Sequence, residues 1–150
     1  MSLYRSHGPR EIDPDLTRPM QNGIYFVGSD DLLRLAKTAA REELCVCHTD
    51  LSGCQGKGDL LRRLSISLEL PATFGDNWDA LADSLRDLRW MPAWGYVLLF
   101  DHADDLQRSA AADFRILLGI LDDAATFASD HDMPWFAFLA LPDAATETTL

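Results

Sequence analysis

Basic residues are scarce. Thirteen Lys and Arg stand against 24 Asp and Glu in 150 residues, a formal net charge of −11. Neutralising phosphates needs Lys and Arg, so this deficit argues against direct binding of RNA, DNA or anionic membrane surfaces. It suits a soluble protein with a cationic partner. Long apolar runs are missing: no segment approaches the roughly 20 residues of a membrane-spanning helix. Residues 1–20 lack the apolar stretch of a secretory signal, which sets the expectation of a cytoplasmic protein. Cysteine is limited to Cys45, Cys47 and Cys54, an odd number without framework spacing, in keeping with a reducing compartment.

Motifs that carry chemistry are also missing. Gly53, Gly56 and Gly58 surround Lys57 but fit neither G-x-G-x-x-G nor the P-loop, and read as turn glycines. Cys45, Cys47, His48 and Cys54 lack the paired spacing of a zinc site, so core cysteines are the simpler reading. No metal and no cofactor is expected. His7, His48, His102 and His131 are scattered, with no nucleophile motif nearby. Two histidines and an acid can cleave RNA by general acid–base catalysis, and only the fold decides whether they converge. The motif content itself predicts a protein that is not an enzyme.

What remains is an ordinary globular composition, 47% apolar and 25% charged, at the size of one domain. Residues 1–22, with Pro9, Pro14 and Pro19, read as a polar arm ordered only where it packs on the domain at 23–150. Strands are expected at 24–27, 44–49, 96–100 and 135–141. The last two are continuous apolar runs, typical of strands covered on both faces. Apolar periodicity predicts helices over 31–42, capped by Ser29 or Asp30, and over 57–68, 77–89 and 110–130, with a turn or short helix at 101–109. This alternation predicts an α/β domain with a small, mainly parallel sheet flanked by helices.

The stretch 77–89 is unusual. Wound as a helix, it puts Trp78, Leu81, Leu85 and Leu88 within roughly 80° of arc, and Asp76, Asp79, Asp83 and Asp87 in a similar arc opposite. Acids in a first turn complement the helix dipole, which accounts for Asp76 and Asp79. Further down, like charges at i,i+4 cost about 0.2–0.5 kcal/mol per pair. The column is either solvated surface or a face that meets a basic partner.

The pattern Leu70-Pro71-x-x-Phe74-Gly75-x-Asn77-x-Asp79-Ala80-Leu81-x-Asp83-x-Leu85 resembles the signature of the barstar family, the intracellular inhibitors of barnase-type ribonucleases, with the resemblance extending over residues 44–141. It implies a barstar-like fold. The family prototype has three parallel strands, and the strand and helix at 24–42 look like an addition, so three to four strands are expected here. It further implies that Asp79 and Asp83 enter the basic active site of a ribonuclease. Thr73, Gly75, Asp76, Asn77, Ala82 and Asp123 would lie around them, with Gly75 letting the loop backbone approach closely. Asp123 matches a contacting glutamate by ungapped comparison. Two positions depart from the family: Thr73 stands where the prototype has tyrosine, and Ala82 where it has tryptophan. The expected partner is therefore a basic, extracellular-type ribonuclease or a related toxin protein. The alternative is an interaction or immunity module of the same fold that binds a different basic partner.

Overall fold

Residues that alternate along a strand point to opposite faces of a sheet, and here both faces are apolar at the centre. The computed structural model describes residues 5–6, 13–71, 74–88 and 91–142. In chain order the elements are β1 (Arg5–Ser6), β2 (Gly23–Val27), α1 (Ser29–Arg41), β3 (Cys45–Asp50), α2 (Lys57–Ser67), α3 (Trp78–Arg86), β4 (Tyr96–Asp101), α4 (Ala103–Ser109), α5 (Ala111–Asp130) and β5 (Trp135–Ala140). The strands form one sheet in the order β1-β2-β5-β4-β3, and every pairing is parallel.

Two cores follow from the alternation. On the front face Tyr96, Leu98 and Phe100 of β4 and Trp135, Ala137 and Leu139 of β5 pack with the inner sides of α2, α3, α4 and α5. On the back face Val97, Leu99, Phe136 and Phe138 meet Leu32, Leu35 and Ala39 of α1, with Tyr25, Val27 and Leu16. Tyr25 lies against Phe138 and Phe136, at ring-centroid distances of 5.4 and 6.3 Å.

The expected α/β class and parallel sheet are found, and the added strand and helix are β2 and α1. Three details differ. The two-residue β1 pairs with Tyr25 and Phe26, extending the sheet beyond the three to four strands expected. Helix α1 is capped by Gly28 rather than Ser29 or Asp30, because the Asp31 carboxylate reaches back to accept from the Gly28 N–H at 3.1 Å. Helix α3 runs only from Trp78 to Arg86, not 77–89.

Close approach fixes the start of β4. The Gly95 carbonyl accepts from the Cys45 N–H at 2.9 Å, and the Pro134 carbonyl from the Tyr96 N–H at 3.0 Å. A Cβ on Gly95 would stand 2.7 Å from the Pro134 oxygen and 3.0 Å from Leu44 Cδ2, so only glycine fits between the neighbouring chains.

Asn22 ties the N-terminal segment to this frame. It is 6% exposed. Its amide nitrogen donates to the Met133 carbonyl at 2.8 Å and to Ser129 Oγ at 3.0 Å. Its amide oxygen accepts from the Trp135 N–H at 2.7 Å. Ser129 in turn donates to the Pro19 carbonyl at 3.1 Å. One side chain thus joins residues 19–22, the end of α5 and the first residue of β5. Asn22→Ala strands the buried Trp135 N–H and is expected to cost about 1–3 kcal/mol, measured by denaturant unfolding as a lower midpoint with unchanged slope.

Candidate functional site

Helix α3 is held from beneath. Leu81 and Leu85 are buried, Trp78 is half-buried, and Phe74 and Leu70 pack beside them on the front core. Lys57 Nζ lies 5.9 Å from the centre of the Trp78 ring, within cation–π range. The Lys57 N–H also donates to Asp113 Oδ2 at 3.0 Å, linking the start of α2 to the first turn of α5.

Asn77 is the N-cap: its Oδ1 accepts from the Ala80 N–H at 2.7 Å, and its Nδ2 donates to the Gly75 carbonyl at 3.1 Å. A Cβ on Gly75 would press on that cap, 3.1 Å from Asn77 Nδ2. Asp76 has φ +52, a left-handed conformation uncommon for a non-glycine residue. The segment that leads into the helix therefore carries local backbone strain.

The column of four acids is reduced to two on the helix itself. Asp76 precedes the N-cap. Asp87 is the C-cap in an extended conformation, φ −130, ψ 91. The chain leaves the helix there because it is held to the sheet: the Tyr96 hydroxyl donates to the carbonyls of Leu88 and Met91, and Leu88 is turned into the core. Burial, and then the nearby Cys45, push the Tyr96 phenol above its ordinary range.

Asp79 and Asp83 remain, both exposed and one turn apart. The Asp83 side chain is 76% exposed and pairs with Arg86 at 2.6 Å. Ala82 is half-buried between them, and Thr73 lies outside the described residues. Asp123 is exposed on α5, the helix against which α3 packs. Its neighbour Asp122 is the more perturbed acid. Its Oδ1 is buried without a partner, and burial, then the charge of Asp123, raise its pKa.

A hollow of about 670 Å³ opens past the end of α3, among Leu85, Leu88, Tyr96, Phe127, Met133 and Trp135. Beyond Pro92 and Ala93 a second hollow, about 600 Å³, adjoins Trp94, which is 78% exposed. Neither hollow is announced by residue spacing. The unpaired apolar residues in 90–94 are the only hint the sequence carries.

Two histidines that look scattered in the sequence meet at the carboxyl ends of β3 and β4. His102 Nδ1 lies 3.2 Å from Asp50 Oδ1 and 3.4 Å from Asp101 Oδ1, and His48 Nε2 lies 3.8 Å from Asp101 Oδ2. The parallel register that sets Asp50 beside Asp101 brings them together. These residues line neither of the two hollows.

Burial, then Cys45, push the Cys47 thiol up to about 12, and burial also raises Cys54. Both are buried thiols, packing groups rather than reactive ones. Among the described residues no group of three or more His, Cys, Asp or Glu is placed to hold a metal ion. Among the same residues no helix is long and apolar enough to cross a membrane.

Compared with known families, residues 44–140 match the model described as barstar (barnase inhibitor). A search of curated proteins found no match.

The histidine cluster makes a pH prediction. The hydrogen bond that His102 donates to Asp50, with the charges of Asp101 and Asp105 behind it, raises His102 above its ordinary 6.5. That contribution to stability is complete below 6.5 and is lost as pH rises through the folded-state value. Asp50 is held below its ordinary 3.8, first by the Ser52 N–H and then by His102. Its contribution is present above 3.8 and is lost as pH falls through the folded-state value. Both act together between pH 3.8 and 6.5. In an NMR titration of the imidazoles, Asp50→Asn is expected to return His102 toward 6.5 while leaving the fold unchanged.

Proposed function

The chain belongs to the barstar family, and from that premise we propose that it inhibits a basic, barnase-like ribonuclease in the cytoplasm. Asp79 and Asp83 enter the catalytic cleft and pair with its Arg, Lys or His groups, while Thr73, Gly75, Asp76, Asn77, Ala82 and Asp123 surround the contact. Inhibition is occlusion of the site that would bind RNA phosphate, and the chain itself performs no chemistry. The observation that carries this reading is the pair of exposed carboxylates one turn apart on a helix whose other side is fixed in the core. Rigid presentation lowers the entropic cost of association, and the net charge of −11 favours fast encounter with a cationic surface.

Arg86 modifies the mechanism. Asp83 must exchange Arg86 for a cation of the partner. An exposed ion pair of this kind is worth only about 0–1 kcal/mol, so the exchange is easy.

The second reading, an interaction or immunity module for a different basic protein, is favoured by one observation. Ala82, at the centre of the acidic face, offers a methyl group where an aromatic anchor would stand. A pull-down from the native cell, eluted with salt, separates the two readings: a nuclease supports inhibition, and only non-nuclease proteins support the alternative.

Titration of a basic secreted ribonuclease is the direct test of inhibition, and RNA cleavage unchanged at stoichiometric excess would sink it. Asp79→Ala and Asp83→Ala are each expected to weaken binding by about 2–5 kcal/mol, because a desolvated cation on the partner loses its mate. Thermal melts should show both variants as stable as the parent, or slightly more so, since like-charge repulsion is relieved. Arg86→Ala is expected to speed association without unfolding the helix, read by stopped flow at low and high salt.

A further inference from the structure

We propose that the hollow past the end of α3 receives an apolar anchor, an aromatic or branched aliphatic side chain, carried by the basic partner. The proposal rests on the reading of α3 as the binding face and adds where the partner's anchor goes. The anchor belongs to the partner and its receptor to this chain.

Continuity with the acidic face is the first argument. Leu85, Arg86, Asp87 and Leu88 line the hollow, and Arg86 is the residue that pairs with Asp83. A partner seated on Asp79 and Asp83 therefore reaches the mouth within one helical turn. Size and lining are the second. About 670 Å³ falls in the range of pockets that bury drug-sized ligands, which leaves ample room for one large side chain. Phe127, 39% exposed, lies tilted against His131 at a centroid distance of 4.3 Å, which gives the mouth an aromatic wall.

The third argument is an unmet donor. Trp135 lines the hollow and is 1% exposed, and its indole N–H has no acceptor. Buried donors are almost always paired, so a small turn of the indole toward an incoming oxygen, such as a tyrosine hydroxyl or a backbone carbonyl, completes the site. The fourth is charge. Asp87 lines the hollow, and the charge of Arg86 beside it is met by Asp83. An anchor flanked by Lys or Arg matches this rim. The absence of aromatic anchors from Thr73 and Ala82 agrees with an interface whose anchor comes from the other side.

The test uses the full chain and two peptides, Gly-Lys-Tyr-Lys-Gly and Gly-Lys-Ala-Lys-Gly, followed by NMR through the Trp135 indole N–H. The tyrosine peptide is expected to move that resonance and to bind about tenfold more tightly than the alanine peptide. Ala93→Phe, which fills the mouth, and Phe127→Ala, which removes the wall, should each abolish the difference while melting like the parent. Both leave Asp79 and Asp83 untouched. Equal binding of the two peptides overturns the proposal. So do shifts confined to the outer face of α3, or a Trp135 shift that depends on protein concentration alone, which would make a second copy the occupant. With a ribonuclease, the two variants should weaken inhibition about tenfold. A chain that takes the tyrosine peptide at Trp135 yet never inhibits a ribonuclease supports the hollow's role and overturns only the ribonuclease reading.

Discussion

The central strands must be covered on both sides. Residues 96–100 and 135–140 are buried without exception and almost without polar atoms, so neither face of the sheet can meet water. Everything else arranges itself around that demand. Helices α2 to α5 close the front, and α1 with Leu16 closes the back. Burying apolar surface on two faces at once, at roughly 25 cal/mol per Å², supports a small sheet of parallel strands, and it leaves the outer surfaces of the helices free for charge.

Helix α3 shows how that freedom is used. Its inner side is anchored by Leu81 and Leu85, its N-terminus by the Asn77 cap, and the chain beyond it by the Tyr96 hydroxyl. With position settled by those contacts, the outer side can break local rules: two carboxylates at i,i+4, and just ahead of them an aspartate in a left-handed conformation. Left-handed backbone recurs at Glu43, Glu69, His102 and Asp132, so the pair of carboxylates at i,i+4 is the departure particular to this face.

Legibility followed the physics of each feature. The strands at 96–101 and 135–140 were plain because unbroken apolar runs have one economical explanation in an α/β domain. The apolar stripe of α3 was plain because its period matches the helix. The end of α3 was not, since it is set by a hydrogen bond from Tyr96, eight and five residues beyond the carbonyls it holds. The Gly28 cap was missed because the donor is backbone and the acceptor, Asp31, lies inside the helix. The meeting of His48 and His102 depended on strand register, and the hollow beside Trp135 on the packing of three separate segments. Neither leaves a trace in local spacing. Of the acidic face, the places of Asp76, Asp79 and Asp83 were readable from sequence; that Asp87 leaves the helix was not.

The family match begins at residue 44, yet the back of the sheet is closed by residues 16–39. Val97, Leu99, Phe136 and Phe138 thus lie inside the shared region while their cover lies outside it. In this chain the shared region relies on residues 16–39 to cover its back face. A piece cut at Leu44 would carry a bare aromatic wall of Phe136 and Phe138 where Tyr25 and Leu35 now rest, and such a wall invites aggregation. A change at Phe138 is therefore answerable to Tyr25, whose ring lies against it, and the N-terminal third is part of the core rather than an ornament on it.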